Sequence, residues 1–146
     1  MSIDMDKFRE TCKRLVKSSV ILNEATDLFN GQVIIVEKAI KDLNLGLIAS
    51  VPFGHDFATI SHCRGKQGWG LYIRTTGQSR FGEYEWKFND APRSLRISAV
   101  NAIPELLTAL GNDAKDLTSV MEDATICAKE MLKDIKWSMA EDHKRL

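Results

Sequence analysis

Aromatic and basic residues are concentrated in the middle of this chain. Eight of its eleven aromatic residues lie between Phe53 and Phe88, and arginines and lysines are interleaved with them. Aromatic rings stack on planar ligands, and guanidinium groups bind phosphates and carboxylates through paired hydrogen bonds. This combination predicts a binding surface for an anionic small molecule, an acidic protein surface or, less readily, a single-stranded nucleic acid. The residues that we expect to bind such a ligand are Arg64, Trp69, Tyr72, Arg74 and Arg80. The alternative is that the aromatic side chains only pack the sheet while the arginines are solvated.

The residues that resemble catalytic or metal-binding motifs do not have the required spacing. His62 and Cys63 are neighbours on a predicted strand, so they point to opposite faces and cannot form a nucleophile–base pair. The paired ligand spacing of a zinc site is absent. The glycines between Gly65 and Gly70 lack the Lys-Ser/Thr that ends a phosphate loop. We therefore expect a protein that is not an enzyme and that has no catalytic residue, no metal site and no cofactor.

Four short segments with apolar alternation, separated by turn residues, predict strands: Leu47–Phe53, Ala58–Cys63, Trp69–Thr75 and Glu83–Phe88. The connections between them are too short for parallel crossovers, so the segments predict a four-stranded antiparallel meander.

Alternation along the third predicted strand decides which candidate residues lie together. Tyr72 and Arg74 share one face, Trp69 lies on the other, and Arg80 follows in the next loop. The same pattern therefore predicts a binding face that includes Tyr72 and Arg74.

A row of apolar residues spaced seven apart runs through the first third of the chain: Phe8, Leu15, Leu22, Phe29, Val36 and Leu43. This spacing is typical of a helix that packs against another helix. It crosses Asn30-Gly31 without a change of phase, which favours one long helix or a closely stacked pair over 1–45. The alternatives are a turn at Asn30-Gly31 and a strand at Val33–Val36. Nearly forty helical residues would be close to 60 Å long, more than a small sheet can cover. We therefore expect an oligomer whose helical-bundle interface includes Phe8, Leu15, Leu22, Phe29 and Val36.

The last third of the chain predicts two further helices. Asp90 or Ser94 would begin the first, Pro104 would kink or split it, and Gly111 would end it. The final helix would begin after Gly111, with a second apolar stripe: Leu117, Met121, Ala124, Ala128, Met131 and Ile135.

Composition limits the class of protein. The 146 residues predict a single α+β domain over 1–146, with 1–45 helical, 46–90 forming the antiparallel sheet and 91–146 helical. The net charge is zero, but 46–96 carries +3 and 97–146 carries −3. A neutral chain argues against strong non-specific binding to nucleic acid. Three widely spaced cysteines, with no signal peptide and no membrane-spanning segment in the sequence, predict a cytoplasmic protein.

These observations predict a non-enzymatic, oligomeric binding or regulatory protein, for example a small inhibitor or sequestering protein. Its sheet would receive an anionic small molecule or an acidic protein surface. Two alternatives stay open: a structural or adaptor protein that binds partners through its helical seams, and a nucleic-acid-binding accessory protein.

Overall fold

The computed structural model describes residues 2–145 and the side chains of residues 2–144. The elements follow one another as helix α1 (Met5–Asp42), strands β1 (Ala49–Phe53), β2 (Ala58–Gly65), β3 (Gly68–Thr75) and β4 (Tyr84–Lys87), a 3-10 turn (Phe88–Asp90), and helices α2 (Arg93–Val100) and α3 (Ile103–Arg145). The predicted α+β order, with a long first helix and a four-stranded antiparallel sheet, is confirmed.

Helix α1 is continuous over 38 residues, about 57 Å at 1.5 Å per residue. The Asp4 carboxylate caps its first turn by accepting hydrogen bonds from the backbone N–H groups of Asp6 and Lys7. Asn30 and Gly31 lie inside the helix, so the predicted single helix is confirmed, and the turn and the strand considered as alternatives are wrong. One interior glycine costs a helix only about 1 kcal/mol, which does not outweigh the packing of the following turns on the sheet.

The strands pair in sequence order, β1-β2-β3-β4, and every pair is antiparallel. Val51, Ile60, Ile73 and Trp86 are aligned across the four strands by this register. They belong to the face that packs against all three helices. The helices contribute Val33, Ile40, Leu95, Ala99, Leu106 and Leu110 to this core.

The C-terminal helices begin and end at other residues than predicted. Helix α2 begins at Arg93, after Pro92, whereas Asp90 closes the 3-10 turn. The prediction that Asp90 starts this helix is wrong, because Pro92 has an extended backbone immediately before the helix. Ser94, the other predicted start, is the second residue of the helix.

The break between α2 and α3 lies at Asn101-Ala102, not at Pro104 or Gly111. Pro104 is the second residue of α3, where a missing N–H costs no hydrogen bond. Gly111 lies inside α3, and its φ is not positive. Among the described residues, no atom lies within 4 Å of the position that a Cβ would occupy there. The prediction that Gly111 ends a helix is therefore wrong, and α3 is continuous over 43 residues.

Both long helices extend well beyond the core. Residues 5–25 of α1 are exposed without exception, and we call them the α1 arm. Residues 111–144 of α3 are exposed except for half-buried Ala114 and Glu141, and we call them the α3 arm. Within residues 2–145, no helix is long and apolar enough to cross a membrane.

Candidate functional site

The five residues predicted to bind a ligand lie in three separate places. Tyr72 and Arg74 lie on the sheet face away from the core, as alternation predicted. Arg64 and Trp69 are direct cross-strand neighbours, and they lie on the opposite face, at the turn end of the β2–β3 hairpin. Arg80 lies in the β3–β4 loop, bound to the β1–β2 turn. The fold therefore does not assemble these residues into one binding surface.

Tyr72 is 2 % exposed, so its ring does not offer a stacking surface. It lies over Gly65, where an added Cβ would come within 2.3 Å of the ring. Its hydroxyl donates to the Gly68 carbonyl at 2.8 Å and accepts the Gln67 N–H at 3.1 Å. Tyr72 thus closes the β2–β3 turn, a structural role that sequence alternation alone does not distinguish from ligand binding.

Two of the three predicted arginines already have carboxylate partners. Arg74 Nε lies 2.8 Å from Glu85 Oε2, directly across the strand pair. Arg80 donates to Asp56 twice, from its backbone N–H to Oδ1 and from Nε to Oδ2, both at 3.1 Å. A ligand anion at either position would compete with a carboxylate that the chain supplies itself.

Trp69 and Arg80 each border a small hollow at opposite ends of the sheet. A hollow of about 160 Å³ is lined by Trp69, His62 and the chain that leaves α1, and the two rings stack with centroids 5.5 Å apart. A second, of about 340 Å³, lies between the β1–β2 turn, Arg80 and α2. The lining of the second hollow includes His55, Ser94 and Ser98, but among residues 2–144 no hydrogen bond joins either serine hydroxyl to the imidazole.

His62 and Cys63 point to opposite faces, as predicted. His62 is buried, and its Nδ1 lies 2.8 Å from the Leu47 carbonyl oxygen. Burial raises the pKa of the Cys63 thiol above its usual value, and the nearby Arg74 charge opposes this effect only in part. A thiol that stays protonated near neutral pH is a poor nucleophile. Among the described residues, no three His, Cys, Asp or Glu side chains converge as metal ligands.

A polar cluster between α1 and α2 was missed by sequence reasoning. Arg96 is 7 % exposed and donates from Nη1 to the Asn30 side-chain oxygen. Arg93 donates to the side-chain oxygen of Asn23, which lies two turns before Asn30 on α1, toward the arm. Burial lowers the pKa of Arg96, and the Arg93 charge adds to that effect. The only sign of this cluster in the sequence was a pair of arginines three residues apart on an amphipathic helix. This pattern is typical of a solvent-exposed helix face, so it did not indicate a buried polar contact. The cluster holds α1 against α2 at the point where the α1 arm leaves the core.

The predicted helical seam is divided between the arm and the core. Phe8, Leu15 and Leu22 are 54 %, 69 % and 48 % exposed, whereas Phe29 and Val36 pack partly buried against the core. One part of the heptad row thus packs against the core, and the other part is exposed on the α1 arm.

The α3 arm carries an apolar stripe of the same kind. Leu117, Met121, Met131 and Ile135 are each at least 42 % exposed. Contiguous apolar surface of this extent on a single chain marks a binding surface. The two arms are therefore the strongest candidate functional site.

Comparison of the chain with protein-family models, curated proteins and solved structures found no match. The assignment of function thus depends on the geometry described above.

Proposed function

We propose that this chain is a non-enzymatic, oligomeric assembly protein that acts through its α1 and α3 arms. The observation that carries the proposal is the exposure of both apolar stripes in the single chain. The arms continue rigid helices that are anchored in the αβ core, so their binding faces are ordered before a partner arrives. Preorganisation of this kind lowers the entropy cost of association.

The arms support this proposal better than the sheet supports an anionic ligand. A ligand surface needs accessible rings and uncommitted cations, but Tyr72 is buried and Arg74 and Arg80 are paired with carboxylates. Nucleic-acid binding also needs accessible rings and unpaired cations, and a chain of zero net charge has no overall electrostatic attraction to phosphates. Within the proposed assembly, a regulatory role would follow from competition for the arms. We place the protein in the cytoplasm, because a reducing compartment suits the exposed thiols of Cys12 and Cys127.

Substitution of Leu22 tests the proposal, because this residue lies on the exposed part of the seam. We expect the wild-type chain to be an oligomer and Leu22→Asp to be a folded monomer, measured by light scattering after size exclusion and by circular dichroism. The matched control is Ile21→Asp, which introduces the same charge at a neighbouring, 65 % exposed position off the seam and should remain oligomeric. A wild-type chain that stays monomeric at high concentration would contradict the proposal.

A further inference from the structure

The two arms carry opposite charges over segments of equal length. Residues 7–17 of α1 contain five basic residues and one acidic residue, a net charge of +4. Residues 113–123 of α3 contain four acidic residues and one basic residue, a net charge of −3. Pairing of two α1 arms or of two α3 arms would place like charges together, which opposes association. An α1 arm on an α3 arm brings opposite charges together.

The fold prevents this pairing within one chain. Asn44 and Leu45, just beyond the C-terminal end of α1, line a shallow hollow together with Leu117 and Met121 of α3. The acidic segment therefore lies beside the far end of α1, about 45 Å from Lys13 at 1.5 Å per helical residue. Exposed charges interact over roughly 8 Å at physiological ionic strength. The basic segment must therefore find its complement on another chain.

We infer that the α1 arm of one chain packs antiparallel on the α3 arm of a second copy of the same chain. This inference depends on the proposed assembly through the arms and names both the partner and the pairing. The surface of each copy contains both halves of the contact. When two copies exchange their arms around a two-fold axis, the contact forms twice and the assembly closes.

The spacing of the charges gives the direction of the helices. Lys7 and Arg14 are seven residues apart, and each directly precedes a residue of the α1 stripe. Asp116 and Asp123 are also seven apart, and each directly precedes a residue of the α3 stripe. All four charged residues therefore lie on the same side of the apolar stripe of their own helix. When two helices pack antiparallel through their stripes, the corresponding sides of the two helices face each other. This arrangement places Lys7 near Asp123 and Arg14 near Asp116.

The apolar residues fit the same register. With those charges paired, Phe8 faces Met121 and Leu15 faces Ala114. The pairing of large side chains with small or flexible ones allows the helices to interdigitate. Cys12 then faces Leu117, so a cysteine placed at position 117 should be close enough for crosslinking to Cys12 of the other copy.

Charge reversal on separate chains tests the pairing. One variant carries Lys7→Glu and Arg14→Glu, and the other carries Asp116→Lys and Asp123→Lys. All four positions are exposed, so both variants should fold. Alone, each should have a dissociation constant raised by about tenfold or more, because like charges then face each other. An equimolar mixture should form a heterodimer of nearly wild-type affinity, because each contact again joins opposite charges.

The outcomes separate this inference from the proposed function. If the wild type is an oligomer and Leu22→Asp dissociates it, but the mixture is no tighter than either variant alone, the α1–α3 pairing is wrong and assembly through the arms stands. A monomeric wild type would overturn both. Native mass spectrometry of the mixture distinguishes the heterodimer directly, since the variants differ in mass.

Crosslinking provides a second measurement that does not depend on charge. In chains that lack Cys127, Leu117→Cys should be joined to Cys12 of another copy by a short bismaleimide. The matched control is Ser119→Cys, an exposed position on the face of α3 opposite the stripe. This cysteine should not be crosslinked to Cys12. Equal crosslinking of the two variants would overturn the proposed register.

Discussion

The Glu37 carboxylate accepts a hydrogen bond from the Leu71 backbone N–H at 2.8 Å. Strand β4 pairs with β3 only over Tyr72–Thr75, so within residues 2–145 no strand pairs with Leu71 on that side. Glu37 also lies 3.4 Å from Lys87 Nζ, and both side chains are about one-fifth exposed. A side chain of α1 thus continues the sheet where the last strand ends, and this contact fixes the long helix to the sheet edge.

Glu37→Ala should lower the free energy of unfolding by about 1–3 kcal/mol, because it leaves the N–H of buried Leu71 and the Lys87 ammonium without their partner. Glu37→Gln should lower it less, since the amide oxygen can still accept from Leu71. Urea denaturation measures both. Glu24→Ala, on the exposed arm of the same helix, is the control and should change stability little. Equal effects at positions 24 and 37 would show that the edge contact contributes nothing.

Gly65→Ala should destabilise the protein by about 1–3 kcal/mol, because the new Cβ would overlap the buried Tyr72 ring and force it to move. Gly77→Ala is the matched control, since no atom lies within 4 Å of its added Cβ and its φ is not positive. Thermal unfolding compares the two. A Gly65→Ala protein as stable as the control would mean that Tyr72 does not close the turn.

Gly111→Ala should stabilise the protein by about 0.5–1 kcal/mol, because alanine has a higher helix propensity at an exposed interior position. The opposite sign would indicate that Gly111 ends a helix, as the sequence pattern alone predicts. Denaturant unfolding of the Leu22→Asp chain avoids any contribution from assembly.

Cys63 should react slowly with Ellman's reagent in the folded chain, because it is buried and its thiol pKa is raised. Cys12 and Cys127 are exposed and should react quickly in the Leu22→Asp monomer. In the wild-type oligomer, Cys12 should become protected if the seam is covered. Three equally fast thiols in the folded monomer would contradict the burial of Cys63.

The same thiol gives stability a pH dependence of known sign. In the folded chain Cys63 keeps its proton at pH values where the unfolded chain has already lost it, from about pH 9 upward. Its contribution to stability is therefore complete below pH 9 and decreases as pH rises above that value. Cys63→Ser should show a smaller loss of stability between pH 8 and pH 10 than the wild type, measured by denaturant titration at about five pH values.

Local patterns in the sequence predicted the elements well. The heptad row from Phe8 to Leu43 predicted α1 across Asn30-Gly31, and alternation placed Tyr72 opposite Trp69. Both patterns reflect the fixed geometry of a helix or strand, so they are readable without a partner. The continuity of α3 through Gly111 was not predictable, because glycine favours a helix end but does not require one.

The sequence by itself determined the order of the elements, the apolar stripes and the charge of each segment, since these depend only on residue type and spacing. Only the tertiary structure decided which parts of those stripes are used in the core. Phe29 and Val36 pack against the core while Phe8 and Leu15 in the same row do not, because the core is too short to cover the helix. The structure also separated Arg64, Arg74 and Arg80, since strand register and loop contacts, not proximity in sequence, determine which side chains meet.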